Sequence, residues 1–178
     1  ILKYDVNEII LAVNYMADKI KAHFSKASLS SIIKFSFEPM PLGTGGAIKN
    51  SENLIGKNTF IAMNGDIISQ INIKNMMNFH KEKNALVTIA IHEVENPSRF
   101  GLVELNKQMR IKSFIEKPPR IENFINKTIN AGIYIMEPEI FDYIQAGKKV
   151  SIEKEVFPRL AKEGKIYGYL YKGFWFDV

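Results

Sequence analysis

Three short segments of the sequence combine carboxylate, glycine and lysine residues in patterns that could bind phosphate, a sugar or a metal ion. The first is Asn64-Gly65-Asp66, which follows the most apolar strand-like run of the chain. Gly65 allows the backbone to turn, so the Asp66 carboxylate can project beyond that run and hold a hard cation such as Mg2+. The alternative is a plain turn in which Asp66 caps the next helix, and the residue types favour neither.

The second segment is the glycine-rich Pro41–Gly46, which leads into a helix predicted to begin at Ala47. Exposed backbone N–H groups of such a turn can face a phosphate or a flat base. No Lys-Ser/Thr pair follows the glycines, and their spacing differs from the dinucleotide-binding fingerprint, so the segment is not a P-loop. An ordinary tight connection between two elements is the alternative interpretation.

The third segment ends an apolar strand on two adjacent opposite charges, Glu116 and Lys117, which Pro118 and Pro119 follow. Neighbouring strand residues point to opposite faces, so both side chains can reach one ligand only if the strand ends there. Pro118 favours such an end. A carboxylate can accept sugar hydroxyls, and an ammonium group can contact phosphate. A solvated surface ion pair is the alternative.

The composition excludes or disfavours several other chemistries. Cysteine is absent, which excludes a cysteine nucleophile, a disulfide framework and thiolate metal sites, and fits a reducing, cytoplasmic location. The three histidines lack metal-ligand spacing. A net charge of +5 suits small anionic substrates, whereas the lack of interleaved basic and aromatic residues disfavours nucleic acid. No apolar run reaches the roughly 18 to 20 residues of a membrane span.

The elements that position these segments alternate between strand and helix in the first half of the chain. Strands are predicted at residues 8–13, 32–37, 59–63 and 85–93, and helices at 17–24, 47–55 and 73–80. This alternation predicts an α/β layered fold with a largely parallel sheet. Such sheets bind ligands at the carboxyl ends of their strands, where Asp66 and Glu116 fall.

Beyond Pro97 the pattern changes to short strands with brief connections, which predicts antiparallel additions to the sheet. Strands are predicted at 101–105, 109–116, 128–136, 166–171 and 174–178, a turn at 121–124, and helices at 138–144 and 152–163. Ser151 is a good N-cap for the last helix. No repeat or flexible linker interrupts the 178 residues, so we expect one domain over 1–178.

Seven segments of the chain, in their joint order, resemble the sugar-1-phosphate nucleotidyltransferases. They are Glu38–Ala47, Met63–Asp66, Pro97–Val103, Phe114–Pro118, Ile129–Tyr134, Ser151–Pro158 and Gly173–Val178. Each match is modest by itself, but the order over nearly the whole chain is highly specific. The resemblance implies a Rossmann-like layered fold with a mixed, mainly parallel central sheet and antiparallel additions in the C-terminal half.

The resemblance also implies roles for individual residues. Asp66 and Asp177 would hold a catalytic Mg2+ ion, and Lys117 would contact the phosphate of the sugar. Five further residues would bind substrate: Glu116 and Asn130 the sugar hydroxyls, Gly101 the sugar ring through its backbone, and Glu38 and Gly43 the nucleotide base.

The implied reaction is attack by a sugar 1-phosphate, expected to be mannose 1-phosphate, on the α-phosphorus of a nucleoside triphosphate, with release of pyrophosphate. GTP is expected because the N1 and N2 donors of guanine fit the Glu38 carboxylate, whereas uracil and thymine flank their single donor with carbonyls. Alignment and neutralisation of phosphate charge would supply the catalysis, so neither a nucleophilic residue nor a general base is needed.

Other interpretations stay open. One is a heptose guanylyltransferase or a glucose uridylyl- or thymidylyltransferase, and another is a non-catalytic regulatory subunit of the same fold. A glycosyltransferase is disfavoured because Asn64 stands where an Asp-x-Asp pair would need a carboxylate. The family's N-terminal signature, a glycine-rich loop with an arginine and a later lysine, is expected before Ile1, so we expect a domain truncated at both ends. A homo-oligomer is left open.

Overall fold

The structure of the chain is a computed structural model that describes residues 4, 6–27, 30–117 and 127–178. The strands in these ranges are β1 Ile9–Val13, β2 Ile33–Phe37, β3 Phe60–Met63, β4 Ile67–Ser69, β5 Val87–Glu93, β6 Leu102–Leu105, β7 Ile111–Ile115, β8 Thr128–Met136, β9 Ile166–Leu170 and β10 Trp175–Asp177. The α-helices are α1 Ala17–Phe24, α2 Gly43–Asn50, α3 Glu52–Ile55, α4 Ile73–Lys83 and α5 Phe157–Lys162. The 3₁₀ turns are Ser30–Ile32 and Pro138–Tyr143, and Ile152–Val156 form a π-helical turn. The turn predicted at 121–124, with Pro118 and Pro119, lies outside the described residues.

A six-stranded mixed sheet forms the centre of the described fold, in the order β7-β6-β8-β5-β9 with β3 also paired to β8. β8 runs antiparallel to β3, β5 and β6, and β5 runs parallel to β9. Four strands, β3, β5, β6 and β9, therefore share one direction, and β7 and β8 run opposite to them. The predicted layered α/β fold with a mixed sheet is confirmed. One antiparallel strand, β8, lies at the centre of this sheet instead of at its edge.

Two further pairs of strands lie outside this sheet. β1 pairs in parallel with β2, from Ile9 opposite Ile33 onward, as the βαβ pattern of the first residues predicts. β10 pairs antiparallel with β4, and Asp177 lies opposite Ile67. The sequence does not predict β4, because three residues are too few to show a strand's alternation.

The core lies on both faces of the central sheet because the side chains of β8 alternate between them. Tyr134 and Met136 pack on the side of α5, and Ile133 and Ile135 pack on the side of α4, where Met76 is buried. Both faces are thus filled by side chains, which leaves the strand ends for ligands. No helix among the described residues is long and apolar enough to cross a membrane.

The helix predicted over 152–163 has two parts, the π-helical turn Ile152–Val156 and then α5. Ser151 caps it as predicted, because its hydroxyl accepts the Lys154 N–H at 3.3 Å. Pro158 lies in the first turn of α5 and has no N–H to donate to the turn before it. The missing hydrogen bond accounts for the change from a wide turn to a regular helix at this point.

Candidate functional site

The candidate site begins where one edge of β8 passes from β3 to β6. β3 pairs with one half of β8 and β6 pairs with the other half. At the break, the Asn64 N–H donates to the Gly132 carbonyl and the Asn130 N–H donates to the Gly101 carbonyl, both at 2.9 Å. The chain therefore leaves β8 just before Asp66 and rejoins it at Gly101. Such a break at a strand's carboxyl end is where open α/β sheets bind ligands.

Asp66 and Asp177 are brought to this break by the pairing of β4 with β10. Asp177 lies opposite Ile67, and the Val178 N–H donates to the Asp66 carbonyl oxygen at 3.1 Å. The two aspartates thus lie on adjacent backbone segments, and both residues are exposed.

The donor chemistry at this aspartate pair fits Mg2+. The ion takes one or two carboxylates from a protein and completes its shell with water and phosphate oxygens. The described ranges hold no group of three or more His, Cys, Asp and Glu side chains that could bind a metal ion. An ion held by Asp66 and Asp177 would therefore depend on substrate oxygens. Sharing of one ion by the two carboxylates remains a prediction.

Trp175 holds β10 against the central sheet. Its indole N–H donates to the Ala131 carbonyl of β8 at 2.9 Å. The indole ring lies edge-on to Phe100, with 5.3 Å between ring centroids, and 5.9 Å from the ring of His92. Because Phe100 lies just before β6, this contact joins the strand of the second aspartate to the segment that enters β6.

Glu116 and Lys117 come directly after β7, which ends at Ile115. Both side chains are therefore free of the strand's alternation, and both can reach one ligand. Glu116 lies against Gly101, where a Cβ atom would come within 2.7 Å of Glu116 Oε2 and 2.9 Å of Phe114 Cζ. Gly101 is therefore required for this close approach. Lys117 is exposed and has a φ of 46°, a left-handed backbone that residues other than glycine seldom adopt. Such strain concentrates at functional sites.

The Glu116 carboxyl group has a raised pKa. Burial is the largest cause, the negative charge of Glu153 adds to it, and the charges of Lys117 and Lys154 oppose both. A partly buried carboxylate beside a like charge is stabilised by hydroxyl donors, which a sugar supplies.

Asn130 presents a fixed amide to the same place. Its Nδ2 donates to the Tyr134 hydroxyl at 2.9 Å, and its Oδ1 accepts the Gly132 N–H at 3.0 Å. Burial raises the pKa of Tyr134, which keeps the phenol protonated. The amide keeps a second N–H and a second lone pair for a ligand. Through the bond from Asn130 to Gly101, the structure brings together Gly101, Glu116 and Asn130, the residues predicted to bind the sugar.

The glycine-rich segment differs from its prediction as a turn, because α2 begins at Gly43 instead of Ala47. The Gly45 and Gly46 N–H groups donate to the Val150 carbonyl at 2.9 and 3.3 Å. Gly43 has a φ of 72°, and a Cβ atom there would lie 2.7 Å from the same oxygen. The glycines therefore allow the start of the helix to pack on Val150. Glycine is a poor helix former, so the sequence suggests a turn. The contact of Gly43 with a base is still a prediction.

Glu38 stands at the entrance of α2. Its Oε2 accepts the Leu42 N–H at 2.9 Å, and its carbonyl accepts a hydrogen bond from Asn14 Nδ2 at 2.9 Å. Glu38 Oε1 makes no hydrogen bond within the described part of the chain, so this is the oxygen that a base could reach. Recognition of guanine by Glu38 is likewise still a prediction.

A buried carboxylate that the sequence does not single out, Glu153, lies between these groups. Its Oε2 accepts the Thr44 hydroxyl at 2.6 Å and the Ser151 hydroxyl at 2.8 Å. Thr44 Oγ1 in turn accepts the Ile152 N–H at 3.1 Å. An acidic residue shortly after a serine cap is ordinary for the first turn of a helix, so the sequence carries no signal of this burial.

Comparison with known proteins gives the family. A family model described as a nucleotidyl transferase matches residues 1–178, and the chain belongs to that family. The chain is 36% identical over 180 residues to the probable mannose-1-phosphate guanylyltransferase 3 of Arabidopsis thaliana, covering 97% of this chain and 53% of the relative. It is 38% identical over 179 residues to a mannose-1-phosphate guanyltransferase of Aspergillus oryzae, covering 97% and 48%. The chain thus spans about half the length of these curated relatives.

Solved structures share the fold. The crystal structure of HddC from Yersinia pseudotuberculosis complexed with GMP-PN is 29% identical to this chain, with a TM-score of 0.80. The match covers 97% of this chain and 73% of the solved one. The fold is therefore shared with a solved protein that is complexed with GMP-PN.

Proposed function

We propose that the protein transfers a guanylyl group from GTP to a sugar 1-phosphate, with mannose 1-phosphate as the sugar substrate, and releases pyrophosphate. The break in the edge of β8 carries this proposal, because it gathers Asp66 and Asp177 beside the group of Gly101, Glu116 and Asn130. The family and the guanyltransferase names of the relatives support the same reaction.

The sugar would be held by two different kinds of polar group. The Glu116 carboxylate accepts hydrogen bonds from sugar hydroxyls. The fixed amide of Asn130 both donates and accepts hydrogen bonds. Gly101 lets the Glu116 carboxylate lie close to the backbone, so a sugar bound by Glu116 would also meet the backbone of Gly101. The arrangement favours binding of a ligand with several adjacent hydroxyls, such as a hexose.

The phosphates would meet Lys117 and the aspartate pair. An oxygen of the sugar 1-phosphate attacks the α-phosphorus, a new P–O bond forms, and the bond to the β-phosphate breaks with its electron pair leaving on pyrophosphate. The attacking phosphate is already ionised near neutral pH, so no side chain has to accept a proton from it. Lys117 offsets the charge of that phosphate. Asp66 and Asp177 would hold Mg2+, whose charge would offset that of the triphosphate.

The base would be recognised at the entrance of α2. Glu38 Oε2 accepts the Leu42 N–H, which leaves Oε1 for the donors of guanine. The match to a structure complexed with GMP-PN supports guanine as the base. The absence of cysteine is compatible with a reducing compartment, and we place the reaction in the cytoplasm.

Pyrophosphate release by the intact protein tests the proposal. GTP, ATP, UTP and dTTP are each combined with mannose 1-phosphate and with glucose 1-phosphate, in the presence of Mg2+. The highest kcat/KM is expected for GTP with mannose 1-phosphate. Asp177→Asn should lower kcat about a hundredfold or more, because it weakens the hold on the metal ion. Asp142→Asn is the matched control, an exposed aspartate on the 3₁₀ turn after β8.

Each alternative has its own outcome in this assay. Faster turnover with UTP or dTTP would contradict the choice of guanine. Faster turnover with glucose 1-phosphate would contradict the choice of mannose. Binding of GDP-mannose with no turnover of any pair would identify a regulatory subunit of the same fold.

A further inference from the structure

Glu153 is an acidic side chain in the interior with only 9% of its surface exposed. Both of its hydrogen bonds, from the Thr44 and Ser151 hydroxyls, go to Oε2. Within the described residues no buried side-chain nitrogen or oxygen lacks a partner. Oε1 makes no hydrogen bond in that part of the chain, so this oxygen reaches solvent.

On one side Glu153 is connected to the start of α2. Thr44 follows Gly43 and binds both the Glu153 carboxylate and the Ile152 N–H. The same helix start is also held by the hydrogen bond from the Leu42 N–H to Glu38 Oε2. Glu153 thus belongs to the framework that sets the position of the predicted base-binding residues.

On the other side Glu153 is connected to the sugar residues. The turn that carries it leads into Phe157, whose ring packs edge-on against Phe114 of β7 at 5.3 Å between centroids. Phe114 lies against Gly101, and Glu116 follows the same strand. The connection from Thr44 to Glu116 therefore runs through Glu153, the backbone of its turn, and the packed rings of Phe157 and Phe114.

Charge connects the two glutamates as well. The groups that act on Glu116 are Glu153 and Lys154 from the π-helical turn and Lys117 from its own segment. Tyr134, from β8, lies in the field of both glutamates. Glu153 raises the pKa of Glu116, and the two lysines lower it.

Building on the proposed guanylyl transfer, we propose that Glu153 is a positioning residue that joins the nucleotide half of the site to its sugar half, through Thr44 on one side and Glu116 on the other. It touches no reacting atom. It holds Thr44 in the first turn of α2 and sets how readily Glu116 accepts hydrogen bonds from hydroxyl groups.

The test is the pH dependence of kcat/KM for mannose 1-phosphate in the intact protein. Glu153→Gln keeps an acceptor oxygen for the two hydroxyls but removes the charge, so the acid limb should move to lower pH. Lys154→Met removes a charge of the other sign, so the acid limb should move to higher pH. Glu155→Gln is the matched control on the same turn, exposed and bound to the Ser151 N–H at 2.8 Å, and its acid limb should match the wild type.

A second variant separates the effect of Glu153 on the position of α2 from the effect of its charge on Glu116. Thr44→Val removes one hydroxyl and leaves the Glu153 charge in place, so the KM for GTP should rise about two- to tenfold without a shift of the acid limb. The proposal is overturned if the acid limbs of Glu153→Gln and Lys154→Met coincide with that of Glu155→Gln, or if Thr44→Val leaves the KM for GTP unchanged. Should Glu153→Gln fail to fold, Lys154→Met and Thr44→Val decide alone. Failure of the guanylyl transfer itself would appear in the wild type, as no turnover of any substrate pair.

Discussion

The side chain of Lys117 is exposed, so its removal should cost the fold little, and its ammonium group is accessible to a phosphate. We expect Lys117→Ala to lower kcat/KM for mannose 1-phosphate about ten- to a hundredfold, the cost of a charged hydrogen bond to phosphate. The melting temperature should stay near that of the wild type. Lys112→Ala, an exposed lysine on β7, is the control for steady-state kinetics and thermal unfolding. Unfolding of Lys117→Ala would indicate a structural ion pair with Glu116 instead.

Gly101 acts through the space it leaves. A Cβ atom there would press on Glu116 Oε2 at 2.7 Å and on the Phe114 ring at 2.9 Å. Gly101→Ala should displace the Glu116 carboxylate, raise the KM for mannose 1-phosphate, and lower the free energy of unfolding by about 1 to 3 kcal/mol. In Gly173→Ala, the new methyl group would meet only Tyr171 ring atoms at an ordinary 3.5 Å. Equal KM values for the two variants would show that Glu116 does not bind the sugar.

Elements formed from local patterns are those that the sequence predicts well. α1 spans the predicted residues 17–24, and the strands at 9–13 and 33–37 lie within one residue of their predictions. The predictions fail where contacts between residues far apart in the sequence determine the local structure. α2 starts early because Val150, over a hundred residues later, accepts the N–H groups of its first turn. The central place of β8 is also a matter of pairing, which periodicity does not encode.

The start of α2 allows the cost of close approach to be measured apart from the cost of backbone strain. Gly43→Ala should lower the free energy of unfolding by about 1 to 2 kcal/mol for the positive φ, and by more because of the contact with the Val150 oxygen. Gly147→Ala is the control, with a φ of 68° and nothing within 4 Å of a new Cβ. Urea unfolding of both variants gives the difference. Equal losses would show that the helix start can move away from Val150.

At the scale of the whole molecule, a buried network joins segments at the end of the sheet opposite the site. His80 of α4 binds Thr88 of β5 at 2.8 Å and Glu137, just past β8, at 2.9 Å, and Glu137 also accepts the Thr59 hydroxyl. Glu137 can only accept, so His80 donates from Nε2 and receives the Thr88 hydroxyl at Nδ1. Burial lowers the pKa of His80 below its ordinary value of 6.5, and outweighs the opposing effect of Glu137.

This histidine makes stability depend on pH in a defined direction. Below pH 6.5 the unfolded chain binds a proton on His80 that the folded chain resists, so its contribution to the free energy of unfolding falls as the pH is lowered. Between about pH 7 and 5 the wild type should lose more stability than His80→Gln does. Chemical unfolding at several pH values measures this, with exposed His23→Gln as the control. A wild type no steeper than His80→Gln would contradict the assignment.

The distinction between local sequence patterns and contacts of distant residues also explains how much of the candidate site could be predicted. The aspartates, Glu116 and Asn130 follow or lie on recognisable strands, so their neighbourhood follows from topology and family resemblance. Glu153 does not, because its function depends on Thr44, which is close to it only in the folded chain. A sequence shows where a charged group occurs, but packing decides whether that group is solvated.

Trp175 is the single tryptophan of the chain, and it lies two residues before Asp177. Its indole is tied to β8 through the Ala131 carbonyl and packed against Phe100, immediately before Gly101. The 178 residues therefore carry one indole, which lies between the two predicted ligand-binding groups, and seven tyrosines that emit at shorter wavelength. Emission from this ring can follow a titration with GTP, mannose 1-phosphate or Mg2+ without any added label. Within the 178 residues this is the one indole, so a change in indole emission from this part of the protein reports on the surroundings of Trp175.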